Sequence, residues 1–445
     1  MKTGNRLGVS LFASSGIGDL ALRSTGTEVL VASELLPERA SMFQRNYPET
    51  KMIVGDIREK IDDIVTASRM RLAGRNLDIL FATPPCQGMS KNGRGKLLRG
   101  VRDGLKDELD PRNQLATFVP EIVNQLNPSL VVFENVPEME STLVEDINKE
   151  LVNLLDYLQD LMPDYVGVWK TIEFADYGVP QRRKRLITVF VRRDILSNNS
   201  KLVYNLSLVF PPQTHSNKPG LIYRPWVSVN ETIGFLPTLD AKNETTARSE
   251  IPYHYVSVLE ARKYWWVSNT KPNKSAFDNQ CVNAECMFDE NQAHGTGRNS
   301  SGVNSANTTT PIYCSRCESL LPRPVVGVAG EERLMKGFTS AYKRMSGDLP
   351  ASALTTNLSY VMSDQKVHPS QHRPLSLYEA MVLHTITDFK WIWELSDGKK
   401  ASDKLIRESI GESIPPRGLQ IIFSSIFEQA LNCEKSLNSD ATRAG

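Results

Sequence analysis

The strongest constraint on this chain is an alternation of short apolar runs with amphipathic stretches across residues 1–195. Apolar runs at 7–12, 29–33, 52–54, 79–82, 130–133, 166–174 and 186–191 have the length of strands, and the intervening stretches are long enough for helices. The clearest helical stripe is predicted over 145–162, where Ile147, Leu151, Leu154, Leu155, Leu158 and Leu161 would share one face. Strands separated by helices build βαβ units, so the expected fold class is α/β with a mostly parallel sheet. Ligands of such sheets bind beyond the carboxyl ends of the strands.

Past Arg193 the character changes. Residues 200–370 are irregular, rich in Asn, Ser, Thr and Pro, and hold four of the six cysteines together with the cluster Tyr264-Trp265-Trp266. That aromatic cluster reads as local core rather than a base-stacking platform. Helical pattern returns at 375–384 and 418–431. The predicted organisation is a catalytic domain begun by residues 1–200, an irregular domain inserted at 201–372, and a return to the catalytic domain over 373–445. No internal repeat is present.

Composition narrows the class. Apolar residues make up 40% and charged residues 23% of the 445, which are globular values. The net charge of +1 gives no global basic signal, so a polyanion would have to be held by a local patch. Six cysteines without a secretory signal point to a reducing, cytoplasmic setting. The opening MKTGNRLGVSLFASSGIGD is broken by glycines and Asp19, so it reads as a strand and tight turn, not a signal peptide. No apolar run approaches the roughly 18 residues needed to span a bilayer, and no membrane partner is expected.

Candidate functional residues fall at successive strand ends. Gly16 and Gly18 form a glycine turn between the first strand and a helix, where a ligand can approach the backbone. The second strand ends in Glu34, placed to accept from ribose hydroxyls, and the third in Asp56, placed to bond an adenine amino group. A turn and two carboxylates in this order favour an adenosine-containing cofactor. There is no GxxxxGK cradle for ATP, and the third glycine of a dinucleotide turn is missing. S-adenosylmethionine, which has no phosphates, tolerates the looser turn. The fourth strand leads to Pro84-Pro85-Cys86-Gln87, a cysteine behind two fixed residues and ahead of a basic loop. That loop carries Lys91, Arg94, Lys96, Arg99, Arg102 and Lys106, a plausible clamp on phosphates. The fifth strand delivers Glu134-Asn135-Val136, whose carboxyl should be partly desolvated and raised in pKa. The run Arg182, Arg183, Lys184, Arg185 opens onto the same edge.

These motifs in this order (an LFxxxGIG-type start, PPCQ, ENV and QRRxR) resemble the DNA (cytosine-5) methyltransferase family of the prokaryotic restriction-modification type. The resemblance covers about 1–195 and 373–425. It implies a Rossmann-like S-adenosylmethionine-dependent domain plus an inserted target-recognition domain that reads double-stranded DNA. Cys86 would add to C6 of a flipped cytosine while Glu134 serves N3, with Arg185 contacting the base and Arg183 orienting the loop. Phe12, Gly16, Gly18, Glu34, Asp56, Ile57 and Pro84 match cofactor-contacting positions. HPSQHRPLSLYEAMVLHTI, with Arg373 and Glu379, resembles the ninth motif of the family, and IGESIPPRGLQ the tenth. Two departures stand out: Glu412 replaces the usual Asn, and Ser14-Ser15 stretch the first motif.

Cys281, Cys286, Cys314 and Cys317 are spaced C-x4-C, 27 residues, C-x2-C, close to a zinc ribbon, and predict a closed structural zinc site, with His294 a loop residue. The expected protein is a monomeric enzyme with a cognate restriction endonuclease as functional partner. The alternatives are the tRNA-methylating branch of the family, or a non-catalytic DNA-binding regulator, against which intact Cys86, Glu134 and Arg185 argue.

Overall fold

A computed structural model describes residues 6–85, 110–298, 304–306, 310–328, 330–335 and 340–431. Seven strands form the central sheet: β1 (Arg6–Leu11), β2 (Thr27–Glu34), β3 (Lys51–Val54), β4 (Ile79–Ala82), β5 (Leu130–Asn135), β6 (Tyr165–Glu173) and β7 (Lys184–Arg192). Their spatial order is β3-β2-β1-β4-β5-β7-β6. The first five pair in parallel, and β7 runs antiparallel to both β5 and β6. All seven fall on the predicted apolar runs, and the sheet is mostly parallel as expected.

β4 and β5 are buried along their whole length, as strands covered on both faces must be. Their side chains alternate between two cores. Ile79, Phe81, Leu130 and Val132 join one, which includes α1 (Asp19–Ser24), α2 (Pro37–Asn46) and the C-terminal α8 (Pro416–Ala430). Leu80, Ala82, Val131 and Phe133 join the other, with α3 (Ile57–Leu72), α4 (Val119–Leu126) and α5 (Leu154–Leu161). Phe423 of α8 meets Phe81 edge-on with ring centres 5.2 Å apart. Gly418 lets this helix close down, since a Cβ there would lie 2.2 Å from the Phe174 ring. The distal end of the chain therefore completes a layer begun at its start. Two further helices, α6 (Leu377–Leu383) and α7 (Asp403–Glu412), pack into the same core.

One prediction fails. The expected helix over 145–162 is a hairpin, Leu143–Glu145 against Leu151–Asn153, followed by the shorter α5. The cause is local. The Asp146 carboxylate accepts from the amides of Asn148 and Glu150, at 2.9 and 2.7 Å, and Lys149 takes a positive φ of 63°. Asn153 then caps α5 by accepting from Leu155 N at 2.9 Å. Ile147, assigned to the buried stripe, is 89% exposed at the turn. No helix among the described residues is long and apolar enough to cross a membrane.

Candidate active site

The carboxyl ends of the parallel strands surround a cavity of about 330 Å³. At the end of β1 the chain passes through two left-handed residues, Phe12 (φ 57°) and Ser14 (φ 50°), both on the cavity wall. Thr83, following β4, holds this turn: its hydroxyl donates to the Phe12 carbonyl at 2.9 Å and its amide to Leu11 at 3.1 Å. Backbone strain so placed belongs with ligand clamps. Glu34 accepts from Ser14 N at 2.8 Å and Leu36 N at 2.9 Å, one amide to each oxygen. Burial pushes its carboxyl up, while the two amides and Arg39 pull it back. Asp56 caps α3 and takes a bidentate contact from Arg58, at 3.0 and 2.6 Å, which holds it below the usual carboxylate range. Ile57 lies beside it on the wall.

The opposite wall carries Glu134 and Arg185. Glu134 ends the buried β5, and Arg185 Nε lies 2.8 Å from its Oε1. Burial is the larger influence and raises the Glu134 carboxyl, with Arg185 and then Arg183 opposing. The geometry thus supplies a carboxyl biased toward holding a proton beside a fixed guanidinium. Asn135, unremarked in the sequence beyond its motif, ties two motifs together. Its amide donates to the Pro84 carbonyl at 3.1 Å, and its carbonyl accepts from Val136 N at 2.8 Å. Pro84 and Pro85 also line the cavity. Cys86 and the basic loop carrying Lys91 to Lys106 lie outside the described residues.

Comparison with known proteins decides what this site belongs to. The sequence signature of C-5 cytosine-specific DNA methylases matches residues 8–428. The chain is a member of that family. It is 30% identical over 436 residues to type II methyltransferase M1.HgaI of Avibacterium volantium, covering 96% of this chain and 99% of that protein. It is 22% identical to type II methyltransferase M1.HphI of Haemophilus parahaemolyticus, over 95% and 87% of the two chains. A crystal structure of a prophage-encoded DNA modification methyltransferase from E. coli shares the fold, with a TM-score of 0.52 at 16% identity. That match covers 96% of this chain and 100% of that one. The protein is therefore a DNA (cytosine-5) methyltransferase.

Two predicted cofactor-contact residues of this methylase sit elsewhere. Gly16 and Gly18 do not line the cavity. Gly16 (φ 90°) lets α2 approach, because a Cβ there would lie 2.7 Å from the Phe43 and Tyr47 rings, and its carbonyl accepts from the Tyr47 hydroxyl at 2.8 Å. Gly18 has an ordinary helical φ of −63° and faces Phe81. Arg183 is buried and donates to the carbonyls of Leu354 and Gly411, at 2.8 and 2.9 Å. It fastens the segment that leads into β7 to parts of the chain far along the sequence. Sequence reasoning also missed Arg39, whose pair with Glu412 at the cavity rim neutralises the unusual acid. Only the folded chain brings those two together.

The four cysteines meet as predicted, all four sulfurs within 4.8 Å of one another. Cys281 and Cys317 are 3.6 Å apart, Cys286 and Cys314 3.9 Å. A tetrahedral ion with bonds of about 2.3 Å separates its sulfurs by roughly 3.8 Å, so the quartet fits zinc. The Asn291 amide approaches Cys314 Sγ at 3.8 Å as an outer partner. His294 is not among them: it stacks on Phe277 and bonds Thr310. Trp266 is core, edge-on to Tyr342 at 5.6 Å.

Replacing Asn135 by Ala strands the buried Pro84 carbonyl and the Val136 amide. It is expected to lower unfolding free energy by about 1–3 kcal/mol in a denaturant titration. An unchanged midpoint and slope would mean that the link between the two motifs contributes nothing.

Proposed function

We propose that this enzyme transfers a methyl group from S-adenosylmethionine to C5 of a cytosine within a specific short sequence of double-stranded DNA. The observation that carries the reading is the Glu134–Arg185 pair on one wall of a cavity whose other wall is Phe12, Glu34 and Asp56. Bound S-adenosylmethionine supplies an electrophilic methyl on a sulfonium. Phe12, Ser14, Glu34, Asp56, Ile57 and Pro84 would hold it, the acids taking the adenosine end.

C6 of a pyrimidine is a poor electrophile, so attack there must be coupled to charge relief at N3. The Cys86 thiolate adds to C6 of a cytosine turned out of the duplex, and Glu134 donates its proton toward N3. Arg185 fixes the Glu134 carboxyl and contacts the base. C5, now enamine-like, would accept the methyl from the bound sulfonium, which would leave as the neutral thioether. Loss of the C5 proton to water then expels the Cys86 sulfur as thiolate by β-elimination, and N3 returns its proton to Glu134. Burial raises the Glu134 carboxyl above its ordinary value, against the opposing charges of Arg185 and Arg183, which favours its role as the acid toward N3.

The same reading assigns residues 1–200 and 373–445 to the catalytic domain and 201–372 to target recognition, with one structural zinc on the cysteine quartet. The kinship with type II methyltransferases supports a protective role beside a restriction endonuclease.

Incubating the purified protein with tritiated S-adenosylmethionine, and offering duplex DNA and tRNA separately, tests the assignment. Label is expected on DNA. Label confined to tRNA would place the enzyme in the tRNA branch, and label on neither would favour a non-catalytic regulator. Cys86→Ala should abolish transfer while cofactor binding persists, and a retained rate would remove Cys86 as nucleophile. For the metal, the native protein should carry one equivalent of zinc and Cys314→Ser markedly less. Equal zinc in both would refute the quartet as its site.

A further inference from the structure

Among the described residues, Lys366 and Arg182, beside the segment that leads into β7, form no ion pair. Lys366 is fully buried, and its Nζ donates to Ser352 Oγ at 2.6 Å and to the carbonyl of Asp364. Ser352 in turn pairs in register with Arg182, on the short parallel ladder that joins 351–352 to 181–182. Arg182 is half-buried, and among the described residues its side chain has neither a hydrogen bond nor an ion pair; its Nε is shielded from solvent without a partner. Among the other deeply buried cations Arg373 is paired with Glu379, while Arg183, Arg323 and Arg344, like Lys366, spend donors on backbone carbonyls; the Arg182 side chain has not even these. Near Lys366 the acid that acts on it is the exposed Asp364, which offers a backbone oxygen and forms no ion pair. Burial and the neighbouring Arg182 together push the Lys366 ammonium down to about 8.

Uncompensated positive charge in a low-dielectric setting is costly in the free protein and is relieved when an anion arrives. Position identifies the anion. Arg182 stands three residues before Arg185, which meets Glu134 at 2.8 Å on one wall of the active-site cavity. An anion at Arg182 therefore lies within one short segment of the base being methylated. We propose that Arg182, with Lys366 beneath it, is a phosphodiester site that grips the DNA strand bearing the target cytosine. This rests on the reading of duplex DNA as substrate. Arg182 supplies the direct contact. Lys366, sealed from solvent, acts as a positioning residue: it fixes Ser352 against the arm and raises the local potential.

The test is the salt dependence of binding to a duplex of random sequence, using the full-length protein. Each phosphate contact contributes about one to the slope of log affinity against log salt. Arg182→Gln should lower that slope by about 1, and Arg182→Lys, which keeps the point charge, should restore it. Lys366→Met should weaken duplex binding several-fold. All three variants should bind S-adenosylmethionine like the native protein, which reports an intact fold. A native slope in Arg182→Gln, with the native protein binding duplex normally, would overturn the proposal while sparing the substrate reading. Absence of duplex binding by the native protein would instead overturn the substrate reading first. A slope change seen with tRNA and not with duplex would reassign the site to RNA.

Discussion

The Glu134–Arg185 pair exists because β7 runs antiparallel between β5 and β6. An antiparallel strand begins where its neighbour ends, so Ile187 sits opposite Glu134 and Leu186 opposite Asn135. The basic arm ahead of β7 is thereby delivered to the edge of the sheet at which β1 to β5 present their carboxyl ends. A parallel strand would have carried Arg185 to the far side of the molecule. The rest of the site is arranged around this meeting. Burial supplies the drive to keep a proton on Glu134, and Arg185 sets the limit, since its charge opposes the rise.

The arm is held from behind by residues drawn from the far end of the chain. Arg183 caps carbonyls of Leu354 and Gly411. Gln181 contacts the buried His384 at 3.1 Å, and the other ring nitrogen of that imidazole meets the Ser413 hydroxyl at 3.0 Å. Burial and the nearby Arg183 and Arg185 keep His384 far below the usual imidazole range, so it serves as a neutral bridge. Glu412, one residue before Ser413, closes the cavity rim against Arg39 of α2. Arg45 and Asn46 of the same helix bond Glu394 and Ile392. The pocket wall, the segment leading into β7 and the C-terminal helices thus form one connected polar assembly, and the packing of those helices against the sheet is a condition of the site.

Much of this was legible in the residues. Each strand of the sheet was marked by its own apolar run, most plainly β4 and β5, because strands buried on both faces cannot be anything but apolar. Glu34, Asp56, Pro84, Glu134 and Arg185 could be placed together because strand ends of a parallel sheet share an edge. The cysteine spacing carried its own geometry. What could not be read depended on contacts remote in sequence or on turn chemistry. The stripe at 145–162 had helical spacing, but the side chain of Asp146 competes successfully for the backbone. Gly16 read as a ligand-approach glycine, and its neighbours turn out to be the Phe43 and Tyr47 rings from another helix. Arg183 looked like a member of a charged run. Its burial is set by carbonyls some 170 and 230 positions away.

The central claim is that a cysteine and a carboxyl act together on one cytosine ring. The most direct measurement is covalent trapping on duplex DNA in which the target cytosine carries fluorine at C5. With no C5 proton to lose, β-elimination is blocked and the adduct persists after methyl transfer. Mass spectrometry of the digested complex should place the DNA adduct on the peptide containing Cys86, and Glu134→Gln should slow its formation. An adduct on another residue, or none from a preparation that methylates ordinary duplex DNA, would contradict the account.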